Sequence, residues 1–330
     1  MLQQIKNYIP NNIKSIWWKY KDTVLTHKQL QNAVNNEVDL IPKYLGVETT
    51  NNCNAGCVFC PQPEIMQRTK GLMKMDTWEL IYNLVVRYKI QRVHFGGMGE
   101  PFVDKKILDR IKQLTDIGCA SQITSNGSLL SKQDPEKIIK SGLKYLNVSM
   151  DALKTEWLHE IKVGLKKFTI EEIEGALKGL KNKKNEMRSL YPIIKVQYQI
   201  TKESNFMDNP DLEAAMIHER MDPIADIVRV KGQHDWLGAM EGYGVDQRAP
   251  GDGSKNNICG YFTDQINIDW NGDVTFCCMD FDSTHKLGNI YNNTLEEIFN
   301  SKHIKLARKL YLEKKIHTHK LCQGCYKDPN

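Results

Sequence analysis

Three cysteines, Cys53, Cys57 and Cys60, fall within eight residues of the stretch NNCNAGCVFCPQP, residues 51–63. Their gaps are three residues and then two. Neighbours this close cannot all bridge one another, and an odd count leaves a thiol over, so disulfides explain them poorly. Zinc sites want paired C-x2-C units supplying four ligands, and no fourth Cys or His lies nearby in the sequence. Iron–sulfur clusters take runs of closely spaced cysteines on a loop. Three thiolates on a four-iron cluster leave one iron open to another ligand.

A second group lies toward the end of the chain. Cys259 and Cys277 are spaced as C-x12-G-x4-C around Gly272, and Cys322 and Cys325 form C-x2-C. A zinc site and an iron–sulfur cluster both accommodate four such thiols. Cys278 reads as a bystander, because adjacent strand residues point to opposite faces. Cys119, at a strand start, reads as a core thiol. The nine cysteines leave residues 120–258 empty. Clustering of this kind, without a signal peptide, argues for metal ligation over disulfides.

Length and composition set the frame. At 330 residues the chain suffices for one large domain and a smaller one. Hydrophobic content of 41% and charged content of 26% are those of an ordinary globular protein. No apolar run approaches a membrane span, mean hydropathy is -0.50, and the start lacks the apolar core of a signal peptide. A cytoplasmic location with no membrane partner is the expectation. No nucleic-acid motif is present, so no nucleic-acid partner is expected. The net charge of +5 has its densest source in residues 301–320, read as a helix whose basic face is solvated or meets an acidic partner or electron donor.

The elements that must hold these groups alternate. Strand candidates are 43–50, 91–97, 120–127, 144–152, 192–201 and 225–232, with amphipathic helical stretches at 75–89, 104–118 and 169–184. Alternation implies parallel βαβ units with chemistry at the strands' carboxyl ends, where the first cysteine loop lies. GGMGEP (96–101) ends the second strand; TSNG (124–127) and SMDA (149–152) end the third and fourth. Gln197 and Gln199 alternate onto one face of the fifth, and RVKGQHDW (229–236) follows the sixth. Its Arg229, Lys231, Gln233, His234 and Asp235 are candidates for gripping a polar substrate, with His234 or Asp235 as a base. His94 reads as a satisfied core histidine. From residue 236 a Gly-, Asp- and Asn-rich loop leads to a hairpin turned at WNGD, then to one helix over TLEEIFNSKHIKLARKLYLEKK.

C-x3-C-x2-C with Phe59 before its last cysteine resembles the radical S-adenosylmethionine (SAM) superfamily. The resemblance implies a [4Fe–4S] cluster on Cys53, Cys57 and Cys60, with SAM chelated at its open iron and cleaved to a 5′-deoxyadenosyl radical. It implies that Phe59, the glycine-rich turn with Gly97 and Gly99, Glu100 as countercharge, and Ser125, Asn126, Ser149, Asp151 and Gln199 attend SAM. The second cysteine group resembles the SPASM/twitch domains of a subset of that superfamily. With five residues after Cys325 the pattern is truncated, which implies one auxiliary [4Fe–4S] cluster on Cys259, Cys277, Cys322 and Cys325. A flavodoxin- or ferredoxin-like electron donor is the further partner implied.

The expected fold is therefore α/β: an N-terminal extension over 1–42, a partial (βα)6 barrel over 43–235, and a truncated SPASM/twitch domain over 236–330. The expected function is hydrogen abstraction from a C–H bond, ending in two-electron oxidation of a small polar metabolite such as a sugar or aminocyclitol. Radical modification of a ribosomal peptide is the alternative, against which stands the shortness of the roughly 43 residues before the first strand. A non-catalytic iron–sulfur carrier or redox sensor is the alternative from another class.

Overall fold

Strands of strict alternation leave one face for helices to cover and one face for chemistry. The computed structural model describes residues 27–200, 210–232, 236, 238–240, 258–323 and 325. The elements before the hairpin are β1 Tyr44–Val47, α1 Met75–Tyr88, β2 Arg92–Phe95, α2 Ile107–Asp116, β3 Ala120–Ser125, α3 Pro135–Lys140, β4 Tyr145–Ser149, α4 Thr155–Ile161, α5 Ile170–Glu186, β5 Ile193–Ile200, α6 Pro210–Met221 and β6 Ile227–Gly232. The rest are β7 Gln265–Ile268, β8 Asp273–Thr275, β9 Lys286–Asn289, α7 Leu295–Phe299 and α8 Lys302–Leu312.

These strands form one sheet in the order β9-β8-β7-β1-β2-β3-β4-β5-β6. Pairs from β1 to β6 are parallel, as their helical crossovers require. The hairpin does not stand apart: β7 pairs in parallel with β1, and β8 returns antiparallel to β7. The α/β class expected from sequence is thus observed, with the C-terminal segment continuing the barrel sheet.

Burial alternates along the strands. Val93, Phe95, Ile123, Leu146, Val148, Ile194 and Val196 are fully buried against helices that contribute Trp78, Ile81, Ile111, Leu114, Ile173 and Leu177. The opposite face carries His94, Gln122, Thr124, Asn147, Lys195 and Gln197, all half-buried. That polar stripe is the lining of the half-barrel.

Helix ends follow local chemistry. In the capping box of α5, Glu172 N donates to Thr169 Oγ1 at 3.1 Å and Thr169 N to Glu172 Oε2 at 2.9 Å. The single helix expected over TLEEIFNSKHIKLARKLYLEKK is two, broken between Phe299 and Lys302. Asn300 explains the break: its Nδ2 donates to Leu40 O and Glu296 O, and its Oδ1 accepts from Leu40 N and Arg308 Nη1. A side chain bonded in this way turns the chain and ties down the segment after the helical stretch 27–35. The basic stretch 301–320 is likewise helical only to Leu312, with a 3-10 turn at Ile316–Thr318.

Candidate functional site

The loop after β1 is built before any ligand arrives. Thr50 Oγ1 donates to Gly71 O at 2.6 Å, Asn51 Nδ2 to Thr69 O at 2.9 Å, and Gln62 Nε2 to Asn51 O at 3.0 Å. Gly56–Cys57 forms a short antiparallel ladder with Lys162–Val163, placing Cys57 opposite Lys162. Cys60 N bonds Cys57 O at 3.0 Å. Lys162 is fully buried, pairs with Asp151 at 3.0 Å and donates to Ser149 O. Sequence reasoning missed this lysine, since nothing in an amphipathic stretch marks which lysine turns inward.

Burial is the largest influence on all three thiols and pushes each pKa up, Cys60 to about 11; repulsion from sister cysteines adds at Cys57 and Cys60, and Lys162 opposes at Cys57 and Cys53. Buried thiolates in mutual repulsion need positive charge between them, and cluster iron supplies it. Among the described residues no group of three or more His, Cys, Asp or Glu is gathered as a metal site. Three thiols on one loop are the donor chemistry that an iron–sulfur cluster takes.

The flanking turns interlock. Gly97 has φ of 140°, and a Cβ there would stand 2.6 Å from Glu48 Oε2; one on Gly99 would stand 2.1 Å from Thr50 O. Only glycine lets this turn lie against the end of β1. Glu100 is buried, accepting from Ser125 Oγ at 2.9 Å, Asn126 N at 2.7 Å and Phe102 N at 3.1 Å. Its carboxylate therefore clasps the turn after β3 to the glycine-rich turn. Asn126 Nδ2 donates to Asn54 Oδ1 at 3.0 Å and reaches Cys53 Sγ at 3.8 Å. Ser149 Oγ donates to Asp151 Oδ2 at 2.6 Å, and Gln199 N donates to Asp151 Oδ1 at 2.9 Å. Asp151 holds φ of 58°, a left-handed conformation fixed by these bonds and by Lys162. Phe59 is buried, and its carbonyl accepts from Trp236 Nε1 at 2.9 Å.

The second thiol group gathers around the hairpin. Cys259 precedes the 3-10 turn Gly260–Phe262, Cys277 follows β8, and Cys325 N donates to Cys322 O at 2.9 Å. Burial pushes the Cys322 thiol up to about 12, with Cys325 adding to it, and both act on Cys259. Cys277 is raised first by its bond with Cys278 and then by burial. The strand-alternation argument for Cys278 does not apply, because β8 ends at Thr275 and both cysteines line one cavity. Cys119 is the expected core thiol, buried and raised by burial to about 11.

That cavity, of about 90 Å³, joins the two regions: Gly96, Gly97 and Met98 line one side, Cys277 and Cys278 the other. Arg68 crosses it, bidentate to Glu48 at 2.7 and 2.6 Å and 3.3 Å from Asp269. Met98 N donates to Glu48 Oε2 at 2.9 Å. Burial beside the Glu48 charge raises the Asp269 carboxyl to about 6 against the pull of Arg68. His94 lines the cavity too, bonded to Thr124 Oγ1 at 2.8 Å and lowered by burial to about 4, hence neutral near pH 7. Glu48, Arg68 and Asp269 escaped sequence reasoning, although a carboxylate ending an apolar strand was a signal for Glu48.

Residues 47–197 match the radical SAM superfamily, and residues 259–326 match an iron–sulfur cluster-binding domain, SPASM. The chain belongs to the radical SAM superfamily. A tungsten-containing aldehyde ferredoxin oxidoreductase cofactor-modifying protein of Pyrococcus furiosus is 28% identical over 185 residues, 54% of this chain and 49% of that protein. A PqqA peptide cyclase of Rhodopseudomonas palustris is 26% identical over 109 residues, 33% of this chain and 29% of the other. The chain thus spans about half or less of the length of these relatives. In fold it is similar to BtrN in complex with AdoMet and 2-DOIA, with a TM-score of 0.55, 16% identity and coverage of 85% and 90% of the two chains.

This radical SAM chain therefore takes a SAM-binding [4Fe–4S] cluster and an auxiliary iron–sulfur cluster. The structure brings Cys53, Glu100, Ser125 and Asn126 into one bonded group, with Ser149, Asp151 and Gln199 in another that reaches Cys57 through Lys162. Arg229 lies exposed on β6, opposite Gln197. Gln233, His234 and Asp235 lie outside the described residues, as does the side chain of Lys231. No helix among the described residues is long and apolar enough to cross a membrane.

Proposed function

We propose that Cys53, Cys57 and Cys60 hold the SAM-binding cluster, that Cys259, Cys277, Cys322 and Cys325 hold the auxiliary one, and that the protein oxidises a small polar molecule by two electrons. When bound, the first cluster supplies the electron that cleaves SAM to a 5′-deoxyadenosyl radical, and the second accepts the electron left on the substrate. The observation that carries the reading is the cavity shared by the glycine-rich turn and Cys277, because a molecule there meets both regions at once.

The chain's own residues do the rest. Glu48, Arg68 and Asp269 offer paired charges to hydroxyl or amino groups, and the half-barrel lining of His94, Thr124 and Asn147 extends that polar surface. Oxidation of an alcohol to a ketone would remove a hydrogen atom and an electron, which the bound groups would take, and the hydroxyl proton, which falls to a base of the chain. Asp269, raised to about 6, is the described carboxylate suited to take that proton. His234 and Asp235 remain the candidates beyond the described residues. Glu100 and Asn126 hold the turns around Cys53, and Trp236 packs edge-on against Phe281 to close the loop side.

Modification of a peptide is the second reading, favoured by the likeness to a PqqA peptide cyclase. The test is an anaerobic screen of sugars, aminocyclitols and peptides for stimulated 5′-deoxyadenosine release, with deuterium transfer and an oxidised product. Absence of 5′-deoxyadenosine with every reductant and substrate would leave a non-catalytic electron carrier as the better reading.

A further inference from the structure

We propose that the groove between β9, α8 and the 316–321 turn docks an acidic one-electron carrier protein that draws electrons from the auxiliary site. The proposal rests on the oxidation reading above, since only a net oxidation leaves an electron to export at every turnover.

The groove encloses about 560 Å³, and its apolar part includes Phe276, Leu310 and Leu321. Two of these immediately precede proposed cluster ligands: Phe276 before Cys277, and Leu321 before Cys322. A partner seated here is therefore one side chain from the auxiliary site. The His319 ring stacks on Phe276 with centroids 5.3 Å apart, extending the flat floor. Leu306 stands at the edge with 48% of its surface exposed.

The rim is basic. Lys286, Lys320 and His303 line it, and no carboxylate does among the described residues. Neighbouring acids are engaged: Asp273 with Lys286 at 2.6 Å, Asp280 with the backbone of Thr284 and His285, and Glu313 with Lys309 at 3.9 Å. Residues 301–320 carry six lysines and Arg308 against one carboxylate, Glu313, a formal +6 where the whole chain is +5. Lys302 and Lys309 are exposed on α8 and flank the face that presents His303, Leu306 and Leu310. Such a surface steers an acidic partner and repels a basic one. It does not complement residues 1–26, which hold four lysines and one aspartate. A small apolar centre with a charged rim matches the modest interfaces of transient redox pairs. In the step itself the carrier gains one electron and the auxiliary site loses one, with no bond made or broken.

The experiment uses holoenzyme loaded with both clusters, reduced and freed of reductant, mixed rapidly with an acidic flavodoxin or with a basic c-type cytochrome. For wild type the second-order rate with flavodoxin should fall steeply with salt, and that with the cytochrome should not. Lys302→Glu with Lys309→Glu should slow flavodoxin about tenfold or more at low salt and flatten the salt dependence. Leu306→Gln should slow it at every salt concentration. Flavodoxin rates in these variants equal to wild type would overturn the proposal, even if oxidised product forms normally. If wild type makes no oxidised product with dithionite while carrier rates still respond to the lysines, the oxidation reading fails and the docking surface stands.

Discussion

Lys162 is the buried cation of the first site, and its removal makes a prediction with two readouts. Its ammonium lies 3.0 Å from Asp151, both side chains only 1% exposed, and it stands across the ladder from Cys57. Lys162→Met keeps most of the side-chain volume and deletes the charge. Asp151 is left without its counterion but keeps its bonds from Ser149 Oγ and Gln199 N. Breaking a buried pair typically costs about 3–5 kcal/mol, and the surviving bonds put this case at the lower end. Adding Asp151→Asn should recover most of the loss, because no lone buried charge remains. The second readout is the reduction potential. At an effective dielectric constant of about 20, a unit charge worth about 4 kcal/mol at about 4 Å is worth about 2 kcal/mol at twice that separation. For a one-electron couple that is about 90 mV. Reduction adds negative charge, which a neighbouring cation stabilises, so the variant's midpoint should move to more negative potential. Redox titration of the reconstituted protein followed by electron paramagnetic resonance measures it, with iron content as the control. An unmoved midpoint in a fully loaded variant would refute the reasoning.

Replacing Cys53, Cys57 and Cys60 together with alanine should remove about half the iron and all SAM cleavage, because the second site is built from separate segments; cleavage surviving in that variant would sink the assignment. Cys277→Ala should preserve deuterium transfer into 5′-deoxyadenosine while abolishing the oxidised product. Product formed at wild-type rate without that cluster would point to redox-neutral chemistry instead. Asp269 gives a pH signature. Its carboxyl is raised from 3.8 to about 6 in the fold, so between those values the folded chain holds a proton that the unfolded chain has lost. Stability should therefore fall as pH rises through that window, by up to about 3 kcal/mol, and Asp269→Asn should remove that part of the fall. Urea unfolding at several pH values decides it; parallel curves for the two proteins would exclude Asp269 as the cause.

What was legible in the sequence was local. The C-x3-C-x2-C loop, the six alternating strands and the Asn-Gly hairpin are each written within a short window, and the folded chain shows all of them. What was not legible depends on distant segments meeting. Glu48, Arg68 and Asp269 are separated by 20 and 201 positions, so no periodicity connects them. Lys162 is one of many lysines, and only its ladder with Cys57 turns it inward. Asn300 sits in good helical context and breaks the helix because Leu40, hundreds of residues away in sequence, offers it two backbone bonds. Glu100 shows the subtler case. Its place in the glycine-rich turn was readable, but that its oxygens are committed to Ser125, Asn126 and Phe102 was not.

The sense in which the hairpin joins the sheet decides where the cavity forms. Because β7 runs parallel to β1, with Val47 opposite Ile268, both strands finish at the same edge of the sheet. Glu48 and Asp269 are then the next residues of neighbouring strands, and Glu48 N still bonds Ile268 O at 2.9 Å. Two carboxylates brought side by side repel unless a cation lies between them, and Arg68 from the loop after the cysteines fills that position. Gly46 leaves room on β1 for the Asn267 side chain, whose Oδ1 a Cβ there would meet at 2.1 Å. β8 then returns antiparallel to β7, and the chain after it brings Cys277 and Cys278 to the cavity that Gly96 and Gly97 also line. An antiparallel β7 would have sent Asp269 to the opposite edge, away from Glu48 and Arg68, and the charged side of the cavity would not have formed.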